Sequence, residues 1–204
     1  MRFAVLGSGS QGNGTLIASD STYVLVDCGF SLRETERRLV RLGVSPHQLS
    51  AILVTHEHAD HVHGVGLLSR RYNLPVYMSR GTQRGMRKPI EPAAYVAGGE
   101  TLQIGALEIS VTRVAHDAQE PPPSVFSDGQ RRFGLLTDLG SYCAGVLASY
   151  SNLDALMIES NHCRDLLARG HSPAFLTQRV GGQEGHLNNH QAANLVAELG
   201  WQDL

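Results

Sequence analysis

The sequence predicts an α/β domain with α+β-type layers, two sheets packed face to face and helices outside, and three observations carry that reading. The first thirty residues hold short apolar runs bounded by Gly and Asp/Ser clusters, the pattern of a β-meander. From Ser31 onward, helical and strand patterns alternate. The second half repeats this grammar without a fixed-period repeat, so each half must bury one sheet face against the other.

The elements follow in order. Phe3 to Leu6, Thr15 to Ala18 and Tyr23 to Asp27 are the meander strands. Ser31 to Leu42 places Leu32, Thr35, Leu39 and Leu42 at helical spacing, with a Ser N-cap, Glu34 three residues on and Gly43 closing the helix. Ala51 to Val54 is apolar throughout and too short for a helix, so it is a buried strand. Val62 to Tyr72 reads as a helix and Leu74 to Met78 as the next strand. Beyond them, Leu102 to Ile104 and Leu107 to Val114 form a hairpin, Phe133 to Thr137 and Leu153 to Ile158 are strands, and Asn188 to Leu199 is the last helix. The Pro- and Gly-containing residues 120–130 read as an irregular loop at the rim of a site.

At 204 residues and 42% apolar content, a single domain over 1–204 with a sizeable core is expected. No apolar run reaches the roughly 18 residues of a membrane span, and the N-terminus lacks a signal-peptide pattern, so a cytoplasmic protein with no membrane partner is expected. Cys28, Cys143 and Cys163 are odd in number and irregular in spacing, and read as reduced thiols. The formal charge of -2 supplies no general field for a polyanion, so any nucleic-acid contact must be local. Oligomeric state is left open.

The chemistry concentrates in Thr55-His56-Glu57-His58-Ala59-Asp60-His61, directly after the Ala51 strand. Alternation along a strand lets His56 and His58 converge on one metal, and the turn that follows swings Asp60 and His61 to a second. Imidazoles suit zinc, and a carboxylate admits manganese or iron. This His-x-His-x-Asp-His signature, with Asp27 ending an early strand, resembles the metallo-β-lactamase superfamily. The resemblance implies a four-layer αββα sandwich with a binuclear site at one edge of the paired sheets. It assigns His56 and His58 to the first metal and Asp60 and His61 to the second. It further assigns His116, after Val111 to Ala115, as a ligand and Asp138, after Leu135 to Thr137, as the bridging aspartate.

Gly185-His186-Leu187-Asn188 resembles the His-Ser-Thr type motif of the tRNA-processing and β-CASP nucleases of this superfamily, which makes His186 the residue facing the scissile phosphate. Asn188 would cap the last helix, whose N-terminus favours an anion. From Gly7-Ser8-Gly9-Ser10 through Glu159-Ser160-Asn161-His162 to Gly185-His186, nearly the whole chain is similar to the small bacterial WalJ-type (YycJ-type) branch, regarded as metal-dependent DNA exonucleases or phosphodiesterases. The implied cofactors are two divalent ions, zinc or manganese, with Asp60 and His186 as catalytic residues and a phosphodiester or DNA substrate. One departure stands out: the superfamily's last histidine ligand, after a strand that follows the final helix, has no counterpart before Leu204. The expectation is a domain lacking its final strand, with an incomplete second metal site.

Three further signals carry less. Gly7 to Gly12 matches Gly-x-Gly-x-x-Gly, but a strand rather than a helix follows it, so a tight turn near the metal edge is expected instead of a dinucleotide site. Arg80, Arg84, Arg87 and Lys88 would form a basic stripe on a helix, either a solvated face or a phosphate track. Cys163 beside His162 reads as a buried thiol. A thioesterase of the same fold and an inactive metal-binding module are the competing functions. The stretch between Asp138 and His186 is too short for a β-CASP insertion, which favours DNA or small phosphodiesters over structured RNA.

Overall fold

The computed structural model describes residues 1–112, 124–170, 174–182 and 185–201. Strands β1 (Arg2–Gly7), β2 (Gly14–Ser19) and β3 (Thr22–Val26) form the expected meander, and α1 (Leu32–Arg41) follows. Ser31 caps α1 by accepting from the Glu34 amide. Next come β4 (Ala51–Leu53), α2 (Ala59–Val62), α3 (Val65–Tyr72), β5 (Val76–Met78), α4 (Arg80–Gly85) and β6 (Ala94–Tyr95). The second half contains β7 (Thr101–Ile104), β8 (Leu107–Val111), β9 (Ser124–Ser127), β10 (Arg132–Leu136), α5 (Ala144–Ser149), β11 (Ala155–Ile158), α6 (Arg164–Arg169), α7 (Ala174–Val180) and α8 (Asn189–Glu198).

One sheet has the order β1-β2-β3-β4-β5-β6 and the other β11-β10-β9-β8-β7. The pairs from β3 to β6 are parallel, as is β10 with β11. Side chains alternate across each strand, so Ile17, Val24, Val26 and Leu53 face Ile109, Phe126, Phe133 and Leu135 between the sheets. Their neighbours Leu16, Leu25 and Ile52 face the other way, onto Leu39, Val65 and Leu68 of the first helical layer. On the far side, Val125 and Leu136 pack on Val146, Tyr150 and Leu195. This is the expected αββα sandwich, and strands buried on both faces explain why their sequences run apolar without alternation. Each fully buried Leu, Ile or Phe here contributes about 1.5–3 kcal/mol.

Two expectations change. The helix expected over Val62 to Tyr72 is two helices, broken at His63 and Gly64. The Gly64 amide donates to Cys28 O at 2.8 Å, and a Cβ there would strike Cys28 Sγ, so close backbone approach interrupts the turn. Residues 120–130 are not wholly a loop: Ser124–Ser127 is an inner strand of the second sheet, pairing Phe126 with Phe133. Burial of Val125 and Phe126 outweighs the turn-forming residues around them. Helices α5, α6 and α7 lie where no helix was expected.

Candidate metal centre

Parallel strands end at a common edge, and the loops beyond their carboxyl ends are where α/β sheets place ligands. Asp27 follows β3, Thr55 to His61 follows β4, Asp138 follows β10 and Glu159 follows β11. Asp27 and Asp138 sit at φ 61° and 57°, left-handed conformations uncommon for residues other than glycine and held here by their surroundings.

Asp27 is the anchor. Its Oδ1 accepts from the Thr55 amide and its Oδ2 from the Thr55 hydroxyl, both at 2.8 Å. Its Oδ2 also lies 2.8 Å from His61 Nδ1. A carboxylate oxygen accepts, so His61 Nδ1 carries the proton and its Nε2 is left with the lone pair. The same reasoning extends one residue: the Thr55 hydroxyl, spent on Asp27, accepts from His56 Nδ1 at 3.0 Å and leaves His56 Nε2 as a lone pair. The glycine-rich turn joins this network through Asn13, whose Nδ2 lies 2.9 Å from both Asp60 Oδ2 and His61 Nε2.

His56, His61 and Asp138 bring their ligand atoms within 4.8 Å of one another, and so do Asp138, Glu159 and His186. Asp138 belongs to both groups. His61 Nε2 lies 3.4 Å from Asp138 Oδ2 and 3.6 Å from Asp60 Oδ2. His58 is exposed, with its Nδ1 2.9 Å from His56 Nε2. The structure therefore gathers His56, His58, Asp60, His61, Asp138 and His186 at one edge, while His116 lies outside the described residues.

Electrostatics fit this donor set to a divalent cation. Burial, reinforced by repulsion from His61, His58 and His186, pushes His56 down to about 2, so its imidazole is neutral and free to ligate. Burial alone would lower His61 too, but the Asp27 hydrogen bond and the Asp27, Asp138 and Asp60 charges raise it. Burial raises Asp138, with His61 pulling the other way and Glu159 adding to the rise. Imidazole nitrogens and carboxylate oxygens converging at chelating distance suit a divalent metal ion.

Two positioned groups carry no role in the sequence reading. Asn13 orders Asp60 and His61. Glu159 accepts from the Leu139 and Leu187 amides at 2.6 and 3.1 Å and from His186 Nδ1 at 2.9 Å. Its hydrogen bond is the main cause of the raised His186 pKa, opposed by burial. The signal for Glu159 was present: an acid directly after an apolar strand, as at Asp27 and Asp138.

This architecture and this edge define a metallo-β-lactamase fold hydrolase. The chain belongs to the beta-lactamase superfamily domain family, whose model matches residues 22–204, and it is a metal-dependent hydrolase. It is 33% identical to the exodeoxyribonuclease YycJ of Bacillus anthracis, over 98% of this chain and 77% of that protein. The exodeoxyribonuclease WalJ of Streptococcus pneumoniae shows the same identity and coverage. Among solved structures, the metallo-beta-lactamase fold protein YhfI from Bacillus subtilis superposes with a TM-score of 0.73 at 21% identity, over 97% of this chain and 82% of that one. No helix among the described residues is long and apolar enough to cross a membrane.

Proposed function

We propose that this chain hydrolyses phosphodiester bonds, with DNA as its substrate. The observation that carries the reading is His186, held by Glu159 at 2.9 Å and 3.3 Å from Asp138 Oδ1, at the edge where the ligands converge. Glu159 fixes Nδ1 as a protonated nitrogen, which leaves Nε2 as the ring atom that would meet an incoming group. A donor of raised pKa suits the charge that develops on phosphate, whereas a thioester has no evident need of it. The similarity to two exodeoxyribonucleases over nearly the whole chain supports the same substrate class.

His56 and His58, with His116, would hold one divalent ion; Asp60 and His61 would hold another, with Asp138 between them. Zinc or manganese bound there supplies a water whose pKa falls toward ~7 and a clamp for phosphoryl oxygens. Asp60, steadied by Asn13, orients the attacking water. His186 donates a hydrogen bond to the phosphate, and Asn188 at the start of α8 completes a helix end that favours an anion.

The test is hydrolysis of bis(p-nitrophenyl) phosphate and 5′-labelled duplex DNA with added manganese or zinc, beside a thioester and a lactam. Metal-dependent cleavage of both phosphodiesters, lost in His58→Ala, is the expected result. His186→Ala should then lower kcat by about 10²–10³. Thioester turnover alone would move the protein to acyl hydrolysis; metal binding without turnover of any substrate would make it a binding module.

A further inference from the structure

The carboxyl edge of the first sheet carries a feature that bond cleavage does not use. Strand β5 ends at Met78 and Ser79 caps α4, so this helix starts at the same edge as Asp27 and Thr55. It rests twice on the metal-binding loop. Thr82 Oγ1 donates to Thr55 O at 3.4 Å, and a Cβ placed on Gly85 would lie 2.5 Å from Glu57 Cγ. Glycine at 85 thus lets the helix end sit flush on the residue between His56 and His58.

Residues 79–90 contain Arg80, Arg84, Arg87 and Lys88 and no acid. All four are exposed, and among the described residues none is ion-paired to a carboxylate. On α1 and α3, three of six arginines are ion-paired: Arg37 and Arg38 pair with Glu34, and Arg71 with Glu36, while Arg33, Arg41 and Arg70 have no ion pair among the described residues. Arg80 is steadied over the Tyr95 ring at 4.1 Å, and Arg84 Nε donates to Arg80 O at 3.2 Å. Of the acids near the segment, Glu91 follows it without forming an ion pair among the described residues, and Glu57 has its Oε2 buried without a hydrogen-bond partner. In a chain of net charge -2, unpaired cations are thus concentrated beside the His56–His58 loop.

We propose that Arg84, Arg87 and Lys88, with Arg80, form the track that delivers a DNA backbone to the metal-binding loop. This deepens the DNA-hydrolase reading and rests on it. Guanidinium forks pair with phosphate oxygens, and such contacts fix a strand's position and register without reading its sequence.

The experiment measures anisotropy of a labelled duplex oligonucleotide in EDTA from about 50 to about 200 mM salt, the range in which phosphate contacts dominate. DNA hydrolysis kinetics are measured in parallel. Arg84→Ala with Arg87→Ala should weaken binding about tenfold at low salt, flatten the log–log salt slope by about 1.5 and raise KM for DNA. Arg84→Lys with Arg87→Lys should retain the slope. Arg41→Ala with Arg70→Ala, on helix ends that lead into the opposite edge of the sheet, removes the same charge and should leave binding at the wild-type level. Equal losses in this control, or wild-type binding in the alanine pair, would overturn the track. Binding that depends on the strip without DNA cleavage would sink the hydrolase reading and leave the track; cleavage with KM and slope untouched by the strip would do the reverse. Wild-type protein that neither binds nor cuts DNA refutes both.

Discussion

On the first sheet, the residues from Thr55 to His61 deliver five polar side chains to the site from one connection, whereas the second half delivers Asp138 after β10, Glu159 after β11 and His186 from the α7–α8 connection. The two edges also differ in exposure. On the first, Asp27, His56 and His61 are almost wholly buried beneath the exposed His58 and an Asp60 side chain that is 32% exposed; on the second, Asp138 and His186 are 21% and 30% exposed and Glu159 is 10% exposed. The first edge is thus a prearranged half, wired through Asp27 and Thr55. The second half is assembled from separate connections and joined through Glu159.

The largest test of this asymmetry is Asp27→Ala. It removes the acceptor of the Thr55 amide, the Thr55 hydroxyl and His61 together, and should cost about 3–5 kcal/mol by leaving buried partners unsatisfied. Asp27→Asn tolerates the left-handed backbone and keeps one acceptor oxygen, so it should lose less. Urea unfolding with metal titration of both variants checks this. A loss under 1 kcal/mol would mean that the first edge is not prearranged through Asp27.

The same contrast governs what could be read from the sequence. His56, His58, Asp60 and His61 were legible because a single apolar strand and its turn carry them, and the sandwich was legible because β2, β3 and β4 alternate between two apolar layers. Asp138 and His186 came into view through a family resemblance, since one acid or one histidine after a strand has no periodicity to mark it. The role of Asn13 exists only in contacts across 47 residues of chain, whereas Glu159 carries the mark of an acid directly after an apolar strand and only its partner, 27 residues on, is hidden. Strand β9 was hidden by its length: four residues between turns carry too little pattern.

A second test compares thiols. Cys28 lies behind His61, donating its amide to His61 O, and burial pushes its thiol up to about 11 from 9.0. Cys143 and Cys163, on the second half, are partly exposed. The folded protein holds the Cys28 proton more tightly than the unfolded chain does. Stability from this source is complete below pH 9 and falls between pH 9 and 11, by about 2–3 kcal/mol in all. Urea unfolding at the two ends of that window should show the decline in the wild type, and Cys28→Ala should lack it. Alkylation at neutral pH should mark Cys143 and Cys163 before Cys28. Early labelling of Cys28 would show that the first edge opens in solution.

The smallest expected effect probes the second half. Asn188 caps α8 by accepting from the His190 and Gln191 amides, while Gln191 Oε1 accepts from the Asn188 amide in return. That reciprocal cap also holds the chain where Asn161 N donates to Leu187 O and Asn189 N to His162 O, and so fixes the segment that presents His186. Asn188→Ala should cost about 1 kcal/mol, the ordinary loss of a cap. Its influence on kcat should be larger than that cost suggests, because His186 stands two residues away and its hydrogen bond to Glu159 depends on where the turn begins. Asn188→Asp, which keeps the acceptor, should restore both stability and rate. If alanine lowers stability but leaves kcat at the wild-type value, His186 is positioned by Glu159 alone, and the second half is more rigid than its three separate connections imply.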